Sequence, residues 1–103
     1  MKFLMFLAMD VAKAAEVAQA ADKFWASPPA GIKMLATYVC QGIPWRDAPA
    51  NTLITIGVLE AENNQALSAA NWPLALAGAT VWSVPVLEMP VPGAAEVERR
   101  LRG

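Results

Sequence analysis

Four segments of this 103-residue chain read as β-strands, and apolar residues occupy odd and even positions in them alike. In the first, Phe3, Met5 and Leu7 alternate with Leu4, Phe6 and Ala8. Successive side chains along a strand point to opposite sides, so both faces of the sheet have to be covered. An antiparallel sheet usually leaves one face in water. The helices between these strands cover only one face. The other requires a second layer, most simply a second copy of the chain.

Composition points the same way. Hydrophobic residues make up 56% of the chain and charged residues 17%, against about 25% charged in a typical soluble protein. Less of the surface is therefore built for water, which fits an oligomer. A chain of this length forms one domain, residues 1–103, and buries roughly two thirds of its unfolded surface. A net charge of −1 supplies none of the attraction on which nucleic-acid binding rests, so no nucleic-acid partner is expected. Arg99, Arg100 and Arg102 read as cations at a helix C-terminus.

With one cysteine, Cys40, and no histidine, the chain has no intramolecular disulfide. Zinc sites of Cys and His, histidine-ligated haem, and Ser-His or Cys-His nucleophile pairs are excluded. No carboxylate cluster suggests another metal site, and no cofactor is expected. Lys2, the apolar run to Met9 and the triplet Ala18-Gln19-Ala20 have the outline of a signal peptide. Asp10, Lys13 and Glu16 interrupt it, so no leader is expected. No run reaches the roughly 18 apolar residues of a membrane span. No membrane partner is expected, and the chain is read as cytoplasmic.

Residues 2–9 read as a buried strand, with Asp10 as N-cap of the next helix. Val11, Ala14, Ala15, Ala18, Ala21 and Trp25 recur at helical spacing, and Ser27-Pro28-Pro29 stops the helix. A second strand, Ile32 to Gln41, shows Ile32, Met34, Ala36, Tyr38 and Cys40 on one face. A long loop from Gly42 to Asn51 contains Pro44, Pro49 and Trp45-Arg46-Asp47. A third strand runs from Thr52 to Glu60, and Gly57 within it marks a bulge or a close approach. Residues 62–77 form a second helix with Ala66, Leu67, Ala70 and Leu74 on its apolar face. Trp72-Pro73 kinks or divides it, and Gly78 comes after it as C-cap. The fourth strand spans Thr80 to Glu88, with Pro85 placing it at an edge or bulge. Pro90 and Pro92 stiffen a linker to a short terminal helix, Ala94 to Leu101.

The order β-α-β-β-α-β is the split β-α-β, or ferredoxin-like, motif. The fold class is thus α+β, an antiparallel sheet with helices on one face and a short C-terminal helix. With the other face apolar, two sheets can pack across a two-fold axis, giving a homodimer of the dimeric α/β-barrel type.

Several segments together carry a family resemblance: Met1-Lys2-Phe3, Pro29-Ala30-Gly31-Ile32-Lys33-Met34-Leu35, Val58-Leu59-Glu60-Ala61, Trp72 and Val84-Pro85-Val86. Over residues 1–90 the chain resembles the family called domain of unknown function 3303. The 42–51 loop is long for that family, and its polar pattern before the third strand is missing. The resemblance implies a ferredoxin-like subunit and a dimer. It implies no activity.

Four residues are the candidate ligand-binding set. Trp45 and Arg46, an aromatic beside a cation on a long loop, suit an anionic ligand at a barrel mouth; the alternative is a loop folded onto its own subunit or the dimer partner. Tyr38 and Cys40 share a strand face that borders an internal cavity in a dimeric barrel, where Tyr38 offers a hydrogen bond; the alternative is core packing. Trp25, Trp72 and Trp82 serve as pocket walls or as packing anchors. Glu60 and Glu88 end two strands, and acid–base use of the pair requires them to converge.

These residues admit three functional readings. The first is a homodimer binding a small apolar or aromatic molecule in an internal pocket. The second is a cofactor-independent enzyme of monooxygenase or isomerase type, with acid–base work falling to Tyr38, Glu60 or Arg46. The third is a structural or interaction protein with a fully packed core. A cavity of about 300 Å³ or more between sheet and helices separates the first two from the third.

Overall fold

The structure, a computed structural model, describes residues 1–43 and 45–103; Pro44 of the long loop lies outside them. In chain order the elements are β1 (Lys2–Asp10), a 3-10 turn (Val11–Lys13), α1 (Ala14–Ala26), β2 (Ile32–Val39), β3 (Thr52–Ala61), α2 (Asn64–Leu76), β4 (Thr80–Pro85) and α3 (Ala94–Arg102). The strands form one antiparallel sheet in the order β2-β3-β1-β4. This is the ferredoxin-like α+β fold that the element order predicts. The two most buried strands, β1 and β3, are its centre.

Side-chain caps set where the helical segments begin. The Asp10 carboxylate accepts from the Ala12 amide at 2.8 Å, and the Asn63 side-chain oxygen accepts from the Ala66 amide at 2.8 Å. Each satisfies an amide that has no partner within the helix. Helix α2 runs through Pro73 to Leu76 rather than dividing there.

The core lies between the sheet and the α1–α2 layer. Phe3, Met5, Leu7 and Met9 of β1 point into it, with Leu59 and Ala61 of β3, Ile32 of β2, Val17 of α1, and Ala70 and Leu74 of α2. The α2 face is the predicted one. The α1 face is not. Val17 is its buried residue, 2% exposed, while Val11, Ala15 and Ala18 lie in water. Ala14, Ala20, Ala21, Phe24 and Trp25 flank Val17 against the core. The helical segment opens with a 3-10 turn, which winds at three residues per turn and rotates α1 relative to a uniform 3.6-residue helix. Val17 also carries more apolar surface than the alanines around it, so turning it inward gains more.

Strand β2 differs from a plain alternation. Met34 pairs with Leu59 but Ala36 pairs with Val58, so Leu35 is an extra residue, a bulge. The insertion reverses the faces. Ile32 and Met34 take the helix side, and Ala36 and Tyr38 take the opposite side. The expected common face of Met34 and Tyr38 does not exist. Gly57 explains the bulge's neighbour: a Cβ there would stand 2.9 Å from Met34 Cε, so the close approach expected at this glycine is made by Met34. Strand β2 ends at Val39, although the Cys40 amide still donates to the Ile54 carbonyl at 2.9 Å. Strand β4 ends at Pro85 on the sheet edge, and one further bond joins the Val86 amide to the Lys2 carbonyl at 3.0 Å. Helix α3 buries none of its residues.

Candidate functional site

The face of the sheet away from the helices is the part of the molecule with unusual chemistry. The register lays its side chains in cross-strand rows. One row is Ala36, Val58, Leu4 and Val84; the next is Tyr38, Ile56, Phe6 and Trp82; a third holds Ile54, Ala8 and Thr80. Every large residue in the first two rows is apolar or aromatic. Phe6 and Trp82 stack with ring centroids 5.4 Å apart and planes 10° from parallel.

A fourth row closes one end of this face. Lys33 pairs with Glu60, and Glu60 with Lys2. Beyond them Lys2 Nζ donates to Glu88 Oε1 at 2.7 Å. The Glu88 side-chain bond and charge raise the Lys2 pKa above its ordinary value, and Lys2 lowers that of Glu88. Glu60 also favours the Lys2 charge. The two glutamates therefore flank one lysine, because β1 lies between β3 and β4. They do not form a carboxylate pair for acid–base work.

The long loop covers the other end. It leaves the sheet at the β2 edge, yet Trp45 meets Trp82 on β4, at the far edge, with ring centroids 5.6 Å apart and edge to face. Trp45 therefore lies on the face that Trp82 occupies, with β3 and β1 between it and the edge where the loop begins. On that same face Ile54 of β3 is 2% exposed and stands outside the core cluster that packs on α1 and α2. Asp47 and Asn51 take positive φ angles, 67° and 63°, which lets the loop turn back to β3. The loop thus folds onto its own subunit and supplies part of the second layer that the sequence demands.

The four candidate residues sit on or around this face, not in a closed pocket. Tyr38 lies in the middle row at the sheet edge and is 60% exposed. Cys40 is half-buried where the loop begins. Trp45 leans on Trp82, and Arg46 is exposed beside it. Arg46 and Asp47 make no ion pair among the described residues. The tryptophans do not share one pocket. Trp45 and Trp82 meet, Trp25 packs edge-on to Phe24 on the helix side, and Trp72 is exposed. Sequence reasoning missed Phe6 as a member of the site and offered Trp82 as a pocket wall or packing anchor without its partner. Their pairing follows from even-numbered strand positions once the strand order is known.

Two clefts open outside the apolar rows. One of about 270 Å³ is lined by Met1, Gly31, Lys33, Glu60 and Glu62 at the strand ends. The other, about 470 Å³, is lined by Ala20, Lys23, Phe24 and Ser27 of the α1 region and Pro73 of α2. Neither is lined by both sheet and helices. In that layer Met5, Leu59 and Leu74 are fully buried. No group of acidic or cysteine side chains arranged to hold a metal occurs among the described residues. No helix among the described residues is long and apolar enough to cross a membrane.

No protein-family model matches the chain, and no curated protein matches it. Among solved structures it is similar to a DUF3240 family protein from Shewanella baltica OS155, with 11% identity, 87% of this chain and 94% of that chain covered, and a TM-score of 0.47. It is also similar to a hydantoinase/carbamoylase family amidase from Burkholderia ambifaria, with 18% identity, 98% of this chain and 32% of that chain covered, and a TM-score of 0.38. At these scores neither likeness bears on function, and neither carries the name of the 3303 family.

Proposed function

We propose that the chain is a homodimeric module whose two uncovered sheet faces pack together as a dimeric α/β barrel and hold a small apolar or aromatic molecule between them. One observation carries this reading. The rows through Leu4 and Phe6 remain only partly covered and form continuous apolar ground, which the loop reaches at Trp82. Burying such surface is worth about 25 cal/mol per Å², and a second identical face offers the matching shape. The pocket belongs between copies, since Met5, Leu59 and Leu74 fill the layer between sheet and helices. Tyr38, Phe6 and Trp82 give it aromatic walls and one hydroxyl, the mix that small-molecule pockets favour. The resemblance to the 3303 family accompanies this proposal and adds no activity to it. No observation favours an enzyme: Glu60 is engaged beside Lys2, and Tyr38 and Arg46 do not converge on it.

Native mass spectrometry of the purified chain tests the proposal. A dimer that carries a small additional mass supports it. A dimer at its bare mass overturns the ligand, and a monomer overturns both parts.

A further inference from the structure

We infer that the two copies meet head to tail, each loop lying across the charged row of the other, so that the pocket is closed only by residues of the partner. This rests on the proposed dimer. The uncovered face has unequal ends. At one end the loop adds a layer, with Trp45 on Trp82. At the other the sheet is bare and ends in Lys33, Glu60 and Lys2, with Glu88 on Lys2.

Two identical faces that pack on each other are related by a two-fold axis in the plane between them. An axis along the strands stacks loop on loop. Packed sheets stand about 10 Å apart, which one layer of side chains from each already fills. Two added loops do not fit there, and the bare ends gape. An axis across the strands sets the thick end of each copy over the thin end of the other, and the wedges complement.

Charge selects the same arrangement. The end row alternates in sign from Lys33 through Glu60 and Lys2 to Glu88. The loop tip offers Arg46 and Asp47, exposed and in no ion pair among the described residues. Head to tail, each strand lies over its own counterpart, so the loop tip, held toward β4 by Trp45, comes to the Glu88 and Lys2 side of the partner's row: Arg46 meets Glu88 and Asp47 meets Lys2. Such pairs fix register and reject alternatives more than they add affinity. Area gives a third reason. Four strands at about 4.8 Å spacing and three rows of residues make a flat face of roughly 400 Å². A stable interface takes about 800 Å² from each partner. Contact between the loop and the partner's charged row supplies the difference. In this arrangement Trp45 and Arg46 of one copy wall the end of the pocket beside Leu4 and Val84 of the other.

Cross-linking tests the orientation. In a Cys40→Ser background, Asp47→Cys and Glu88→Cys chains are prepared separately, then mixed, allowed to exchange and treated with a short bis-maleimide. The expected result is a covalent dimer from the mixture and none from either variant alone. Cross-linking of Asp47→Cys with itself places loop on loop and overturns the inference. So does a mixture that gives no covalent product while light scattering still reports dimers. A Cys40→Ser parent that is monomeric removes the underlying dimer instead. A charge reversal provides an independent check that leaves the cysteines out. Arg46→Glu weakens dimerisation about tenfold, and adding Glu88→Arg restores it; an unchanged dimer constant for Arg46→Glu overturns the inference.

Discussion

Gly57 and Met34 interlock across the β2–β3 pair. A methyl group on Gly57 would stand 2.9 Å from Met34 Cε and 3.1 Å from its Sδ. The methionine thus fills the space that a side chain on β3 would otherwise take, one residue from the bulge at Leu35. The contact is with the free end of a flexible chain, so Gly57→Ala lowers stability by less than about 1 kcal/mol as Met34 swings aside. Gly57→Val overpacks the site and costs about 1–3 kcal/mol. Combining it with Met34→Ala returns at least about 0.5 kcal/mol relative to additivity. Urea denaturation of the native chain and these variants measures all three values.

The loop's hold on the sheet depends on Trp45. Its indole is 38% exposed and edge-on to Trp82. Trp45→Ala removes that contact, with a loss of about 1–2 kcal/mol, less than the 3–5 kcal/mol of a fully buried tryptophan. Proteolysis reads the same change locally: cleavage within residues 42–51 accelerates in the variant, while the helices remain protected.

Helix α1 separates sequence pattern from packing. Val17→Ala is expected to cost about 1–2 kcal/mol in thermal or chemical unfolding, and Leu74→Ala of α2 about 2–5 kcal/mol. Val11→Ala, on the position that spacing alone assigns to the core, stays within about 0.5 kcal/mol. Equal effects for Val11 and Val17 would contradict the observed helix phase.

The Lys2–Glu88 pair gives a pH signature. The pair lowers the Glu88 pKa, so its contribution is present above the ordinary carboxylate range and is lost as pH falls through the lowered value. It raises the Lys2 pKa, so the contribution is present below the ordinary lysine range and disappears as pH rises through the raised value. The pair is exposed, and its effect is small. The stability difference between the native chain and Glu88→Gln is therefore flat near neutrality and vanishes at both extremes of a pH series.

Strand content, strand order and the buried face of α2 are legible in the sequence, because each rests on a regular period or on the β-α-β-β-α-β order. Which face of β1 meets the helices is not legible, because its odd and even positions are apolar alike; burial assigns Phe3, Met5, Leu7 and Met9 to that side. What else the sequence hides depends on single irregularities. One extra residue at Leu35 transfers Tyr38 to the face opposite Met34. One 3-10 turn rotates α1 so that Val17, not Val11, enters the core. The loop's path across the sheet follows from Trp45 reaching Trp82, a contact between elements far apart in sequence that no local pattern encodes. Phe6 and Trp82 belong to the candidate site for the same reason: only the β1–β4 pairing brings them together.

The proposed dimer buries the apolar rows left beside the loop against a second copy. Ile54 and Ile56 both point to this face, but Ile54 is already buried in the protomer while Ile56 is partly exposed. Ile54→Asp therefore damages the protomer itself, whereas Ile56→Asp strikes assembly. Light scattering at micromolar concentration gives the most direct reading. The expected particle has twice the 11.0 kDa chain mass, and Ile56→Asp converts it to a folded 11.0 kDa monomer. A native chain that scatters as a stable, folded 11.0 kDa monomer contradicts the proposed dimer.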